Sequence, residues 1–148
     1  MKLSTNFSLA EFTFSDYATR HGLNNEPDKF VLENLLRLAG HLEDVRKVLG
    51  HPVFISSGYR SLLVNKAVGG SKNSDHTKGL AADFVCPGFG TPKTVCQELI
   101  LAGIPFKQLI YEGRWVHYSI PEMGQPYLKE ILTASFKGGK ATYSRGIV

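Results

Sequence analysis

The stretch SDHTKGLAADF, residues Ser74–Phe84, joins a polar loop to a run of small and apolar residues that is typical of a buried strand. It places His76 near the end of the loop and Asp83 inside the strand. Gly79 lies between them and permits a sharp turn, so His76 can fold back onto the strand that carries Asp83. Because an unpaired buried carboxylate is unfavourable, we expect Asp83 to have a cation, a metal or hydrogen-bond donors beside it.

A second histidine lies in the segment WVHYS, which has the pattern of another strand. Side chains alternate along a strand, so Trp115, His117 and Ser119 share one face. Two histidines and one carboxylate would leave a fourth tetrahedral position for water, as in catalytic zinc sites. Two interpretations of the spacing therefore stay open. In the first, these residues form a zinc site. In the second, His76 is an ordinary loop residue and Asp83 is paired with other groups.

The remaining patterns predict an α+β fold. Apolar residues spaced by three and four predict a long helix that begins after Pro27 and ends at Gly50. A short helical turn is expected to begin at the capping-box segment Ser8-Leu-Ala-Glu11, and short helices are expected at 15–22, 61–68 and 91–103. Strands are expected at 53–56, 80–86, 108–111, 115–120, 131–136 and 141–144. Since helices come first and strands cluster later, we expect N-terminal helices packed on a mainly antiparallel sheet.

Composition sets broad limits on the function. The 148 residues match one domain, 1–148, with 43% apolar and 20% charged residues. No apolar run approaches the roughly 18 residues of a membrane span, so we expect no membrane insertion. The N-terminus MKLSTNFSLAEF lacks the apolar core of a secretory signal. The net charge of +4 comes without a dense basic stripe, so we expect no nucleic-acid partner.

The two cysteines, Cys86 and Cys96, are too few for a disulfide framework and are too far apart for a CxxC metal motif. Both have apolar neighbours in the sequence. We therefore expect core thiols.

Three segments in this order, SSGYRS, VGGSKNSDHTKGLAADF and QLIYEGRWVHYSI, carry a resemblance to a known family. They resemble the zinc D-Ala-D-Ala carboxypeptidases and L-alanyl-D-glutamate endopeptidases, especially the compact endolysin-type peptidases of bacteriophages. The earlier segments FSLAEF and SDYATRHG are similar to the phage-type members too, so the resemblance spans about residues 7–120. It implies the fold shared by hedgehog and D-Ala-D-Ala peptidase zinc domains.

The resemblance implies roles for particular residues. His76, Asp83 and His117 correspond to the ligands of one Zn²⁺ ion per chain. Family members also place an acidic general base shortly before the last histidine, and Glu112 is the carboxylate available in this sequence. Many relatives have the acid three residues before that histidine, where this sequence has Arg114.

Glu112 lies five residues before His117, and this spacing in an ideal strand would point the two side chains to opposite faces. Gly113 in the connecting turn can reset the alternation. The alternative is a solvated hairpin glutamate without a catalytic role.

The SGYRS segment supplies Arg60, which matches a family arginine that contacts the substrate or the oxyanion. A guanidinium can hold a carboxylate with two hydrogen bonds or stabilise charge on a carbonyl oxygen. The alternative for Arg60 is a surface salt bridge. Ser74 lies in a matching motif and is expected to contact substrate, cap the loop or orient a ligand.

The implied activity is zinc-dependent hydrolysis of amide bonds in the peptide stem of bacterial peptidoglycan, by a monomeric enzyme of phage lysis or wall degradation. Without a secretory signal, we expect the protein in the host cytoplasm before its release to the wall, or on a virion. The alternative function is a wall-binding module that keeps zinc and has lost turnover.

Overall fold

The computed structural model describes residues 1–148 and has an α+β fold, as the sequence predicted. The helices are α1 Leu9–Thr13, α2 Asp16–His21, α3 Lys29–Leu49, α4 Leu62–Ala67 and α5 Pro92–Leu101. The strands are β1 Phe54–Ser57, β2 Ala81–Val85, β3 Gln108–Tyr111, β4 Val116–Ser119, β5 Glu130–Lys137 and β6 Lys140–Arg145. No helix has both the length and the apolar character needed to cross a membrane.

The six strands form one sheet in the order β1-β2-β4-β3-β5-β6. Every neighbouring pair is antiparallel except β3 and β5, which run parallel. The sheet is therefore mixed, and mainly antiparallel as expected. Strands β2 and β4 are neighbours inside the sheet, and each of them is paired with another strand on both sides.

Helix α3 provides the apolar face against which the sheet packs. The Asp28 carboxylate accepts a hydrogen bond from the backbone N–H of Val31 at 2.8 Å and begins the helix, and Gly50 ends it with a left-handed φ of 67°. All the apolar residues whose spacing predicted this helix are buried, namely Val31, Leu35, Leu38, Leu42, Val45 and Leu49. They belong to a cluster of 25 buried residues that includes Phe84 of β2 and Tyr118 of β4.

The segment before β2 differs from the plain loop that the sequence predicted. Residues Asp75–Lys78 form one 3-10 turn, and the Ser74 hydroxyl accepts a hydrogen bond from the backbone N–H of His76 at 3.2 Å. Gly79 ends the turn with a φ of 73°, and a side chain there would meet Val31 at 2.9 Å. Glycine is therefore required at this position both by the backbone conformation and by the close approach of α3.

Both cysteines are free and buried, which confirms the expectation of core thiols. Burial raises the pKa of the Cys96 thiol to about 12, and it also raises the pKa of Cys86. Since the thiolate is the reactive form, neither thiol is suited to nucleophilic chemistry at neutral pH.

We expect Leu38→Ala to lower the free energy of unfolding by about 2–5 kcal/mol, because it leaves a cavity under the sheet at a side chain with no solvent exposure. Urea unfolding monitored by circular dichroism measures the change. The matched control is Leu36→Ala on the same helix, where the side chain is 42% exposed and the loss should stay below about 1 kcal/mol. Equal losses for the two variants would contradict the assigned core face of α3.

Candidate metal centre

The register between β2 and β4 brings the first two predicted ligands together. Asp83 is directly opposite His117 in this antiparallel pair, so the two side chains project from the same face of the sheet. The Nδ1 atom of His117 lies 3.0 Å from the Oδ1 atom of Asp83. The strand alternation that the sequence predicted for these two residues therefore produces a direct contact.

The third predicted ligand comes from the 3-10 turn. His76 is 3% exposed, and its Nε2 atom lies 3.3 Å from the same Oδ1 atom of Asp83. Its Nδ1 atom is 2.7 Å from the carbonyl oxygen of Gly58. A carbonyl only accepts hydrogen bonds, so Nδ1 donates to it, and Nε2 is the nitrogen left to donate to Asp83 or, in the deprotonated ring, to bind a metal. The ring is thus oriented with its metal-binding nitrogen toward Asp83.

The three side chains fit a zinc ion. Their ligand atoms all lie within 4.8 Å of one another. Zinc bonds of about 2.0–2.1 Å in a tetrahedron separate neighbouring ligand atoms by roughly 3.3 Å, close to the two distances measured here from the Asp83 oxygen. Two imidazole nitrogens and one carboxylate oxygen form a donor set that zinc accepts, and it leaves a coordination position free for water.

The electrostatics keep Asp83 ionised. Burial by itself would raise the pKa of this carboxyl, but hydrogen bonds from His117 and His76 and the positive charges those rings can carry outweigh it. The pKa of Asp83 is consequently held well below its usual range. A carboxylate that stays charged at neutral pH is ready to bind a cation.

Glu112 lies on the same side of the sheet as the three ligands and lines the cleft above them. It begins the turn between β3 and β4, where its backbone N–H donates to the carbonyl of Trp115 at 3.1 Å. Gly113 has a φ of 87°, so the backbone leaves the strand conformation there, as the sequence suggested. Burial raises the pKa of the Glu112 carboxyl, the charge of Asp83 adds to the rise, and His117 opposes it.

Arg60 and Ser74 line the same cleft. Arg60 makes no salt bridge, which excludes that alternative here, and its Nε atom is buried without a hydrogen-bond partner. Burial lowers the pKa of this guanidinium, and Asp83 opposes the change. Since Arg60 lines the cleft and has no ion-pair partner, its guanidinium can bind an anionic or carbonyl oxygen. Ser74 acts as the cap of the 3-10 turn, and its contact with substrate stays a prediction.

The cleft has a volume of about 590 Å³ and contains further residues that the sequence did not point to. Lys107 and Asp75, which form an ion pair with 2.9 Å between the nitrogen and the nearer oxygen, both line it. Phe136 and Tyr143, from the last two strands, line it as well. The segments that contain Phe136 and Tyr143 were predicted as strands, but no local pattern in the sequence indicated which strand of the sheet they would pair with.

The metal site leads to a prediction about binding. The chain should bind one zinc ion, and His117→Ala should weaken binding by more than about a hundredfold, because it removes one of three protein ligands. Competition with a chromophoric chelator measures the affinity. The control is His51→Ala, which removes an exposed imidazole that is not one of the three candidate ligands. This variant should have unchanged zinc affinity. Wild-type zinc affinity in His117→Ala would exclude His117 as a ligand.

Comparison with known proteins places the chain in a family. A family model described as Peptidase M15 matches residues 5–119, about three quarters of the chain. The matched range contains the three candidate ligands together with Arg60 and Glu112, and it ends before β5 and β6. A search of curated proteins found no match. On the extent of the family match, and in agreement with the resemblance seen in its sequence, the chain belongs to the peptidase M15 family, the zinc D-Ala-D-Ala carboxypeptidase family.

Proposed function

We propose that the chain is a zinc-dependent peptidase that hydrolyses amide bonds in the peptide stem of bacterial peptidoglycan. The observation that carries the proposal is the convergence, in one open cleft, of the His76–Asp83–His117 group with a carboxylate and an arginine. Membership of the M15 family supports the peptidase class. The bond cut would be of the L-Ala-D-Glu or the D-Ala-D-Ala type.

The three ligands would hold the zinc ion at the floor of the cleft. When bound, zinc supplies Lewis acidity, which polarises a scissile carbonyl and lowers the pKa of a coordinated water from about 16 toward about 7. His76, Asp83 and His117 come from a turn and two paired strands. The sheet therefore defines the positions of Asp83 and His117, and the 3-10 turn with the Gly58 carbonyl defines that of His76.

Glu112 is proposed as the general base. Its carboxylate would take a proton from the attacking water and deliver it to the leaving amine. The raised pKa of Glu112 favours this role, because a more basic carboxylate accepts a proton more readily near neutral pH. Glu112 lines the same cleft as the three ligands, which supports this role.

Arg60 is proposed to stabilise negative charge on the substrate. Its guanidinium lies in a partly buried position, where a charge interacts more strongly than it does in bulk water. Arg60 lines the cleft and makes no salt bridge within the chain, so its guanidinium would have donors to offer a substrate oxygen. A peptide carboxylate or a developing oxyanion has the required acceptor geometry.

We further propose that the enzyme acts as a monomer on stem peptides and serves in phage lysis or wall degradation, with the protein held in the host cytoplasm until release or carried on a virion. The support for this setting is the resemblance of the chain to compact phage peptidases. The net charge of +4 suits an anionic wall and comes without the basic stripe of a nucleic-acid-binding protein.

We expect Glu112→Gln to slow the hydrolysis of purified peptidoglycan by at least about a hundredfold, because the amide cannot accept the proton. Release of new amino groups measures the rate, and mass analysis of the products from a defined muropeptide identifies the bond. Zinc content should be unchanged. The control is Glu33→Gln, at an exposed glutamate on α3.

Two results would overturn parts of this proposal. Full activity in Glu112→Gln would exclude Glu112 as the base. A wild-type protein that holds zinc and binds wall material, yet never releases amino groups, would instead be a binding module.

Arg60→Ala should lower kcat/KM by about a hundredfold to a thousandfold, because the variant loses the charged group that would donate hydrogen bonds to the oxyanion or the substrate. Arg60→Lys should recover only part of the lost kcat/KM, because an ammonium lacks the planar pair of donors. Steady-state kinetics on a soluble muropeptide make the comparison. Arg20→Ala, at a side chain 73% exposed on α2, is the control. Equal rates for Arg60→Ala and Arg20→Ala would exclude the proposed role.

A further inference from the structure

We propose that the C-terminal hairpin formed by β5 and β6 is a substrate-binding wall of the cleft, in which the Tyr143 hydroxyl donates a hydrogen bond to the bound peptide and the Phe136 ring packs against it. The inference rests on the proposed function, because it assigns a contact to the same substrate. It concerns residues that lie beyond the range matched by the family model, 5–119.

The strand pairing explains how the hairpin reaches the cleft. Strand β5 runs parallel to β3, and their paired residues end at Tyr111 opposite Thr133. The part of β5 after Thr133 is paired only with β6. This outer half of the hairpin therefore continues past the end of β3, beside the turn that contains Glu112. The rings of Phe136 and Trp115 lie 6.5 Å apart, which ties the hairpin to that turn.

The register within the hairpin selects the face that lines the cleft. Tyr143 is opposite Ala134, and Phe136 is opposite Ala141. Alternation along paired strands places these four residues on one face. The two aromatic residues of this face line the same cleft as Arg60, Glu112 and the three ligands, and the other two side chains are small methyl groups.

Neither aromatic side chain is needed for the core. Phe136 is 54% exposed and Tyr143 is 55% exposed, and neither belongs to the main hydrophobic cluster. The Tyr143 hydroxyl makes no hydrogen bond within the chain, whereas the hydroxyl of the buried Tyr118 donates to the carbonyl of Pro105 at 2.7 Å. Tyr143 thus has an apolar ring and a free polar group, both available at the cleft.

A tyrosine hydroxyl is protonated at neutral pH, and the surroundings of Tyr143 favour this state further. Burial raises its pKa, and the negative charges of Glu112 and Asp83 raise it further. A phenol that stays neutral is a hydrogen-bond donor toward a peptide carbonyl or carboxylate. Because Tyr143 and Arg60 both line the cleft, a bound peptide would have donors from the hairpin and from the SGYRS segment.

The test separates the ring from the hydroxyl. Tyr143→Phe should raise KM for a soluble muropeptide by roughly threefold to tenfold, the effect of one hydrogen bond, with kcat and zinc content little changed. Phe136→Ala should raise KM by a similar factor. The matched control is Thr142→Val, because Thr142 neighbours Tyr143 on the same strand and points to the other face.

A second measurement does not depend on turnover. Each hairpin variant is combined with Glu112→Gln, and its binding to insoluble peptidoglycan is measured by co-sedimentation. Weaker binding for the Tyr143→Phe and Phe136→Ala combinations, but not for the Thr142→Val combination, would support the hairpin wall. Circular dichroism establishes that each variant is folded.

The outcomes distinguish this inference from the proposed function. If the wild type hydrolyses peptidoglycan and all hairpin variants match it in KM and binding, the hairpin wall is wrong while the peptidase function stands. If the wild type binds wall material without hydrolysis, the peptidase function is wrong, and the co-sedimentation assay alone tests whether the hairpin binds the peptide. If the wild type neither binds nor hydrolyses, both proposals are overturned.

Discussion

A carboxylate in the middle of a β-sheet requires compensation, and in this protein Asp83 receives it from two histidines. One oxygen of Asp83 lies 3.0 Å from His117 and 3.3 Å from His76. Without these partners the buried charge would be strongly unfavourable. The same arrangement of one carboxylate and two rings creates a set of ligands for a metal ion.

The position of His76 depends on segments far away in the chain. Its ring is oriented by the carbonyl of Gly58, and a side chain at Gly58 would lie 2.6 Å from the backbone oxygen of Phe12 at helix α1. The turn that carries His76 is also held by α3, since the side-chain amide of Asn34 donates to the carbonyl of Lys78 at 2.9 Å. The N-terminal helices therefore act as the support of the site, although their own ionisable residues take no part in it.

Two chemically different groups of side chains line the cleft. The SGYRS segment and the loop before the 3-10 turn contribute the guanidinium of Arg60 and polar groups. The β3–β4 turn and the C-terminal hairpin contribute Glu112 and the aromatic rings of Phe136 and Tyr143. A cleft lined by both kinds of group can make polar and apolar contacts with one ligand.

The sequence by itself determined the features that depend on neighbouring residues. Helix α3 follows from its apolar spacing and ends at Gly50. Spacing and strand alternation left a zinc site open as one of two interpretations, and only the resemblance to a known family implied His76, Asp83 and His117 as the ligands. Tertiary structure decided that Asp83 is opposite His117, that Gly58 orients His76, and that Tyr143 lies on the cleft. Strand partners and register are set by how distant apolar faces pack together, so no local pattern specifies them. The parallel pairing of β5 with β3 is the clearest case, because it alone brings the last strands to the site.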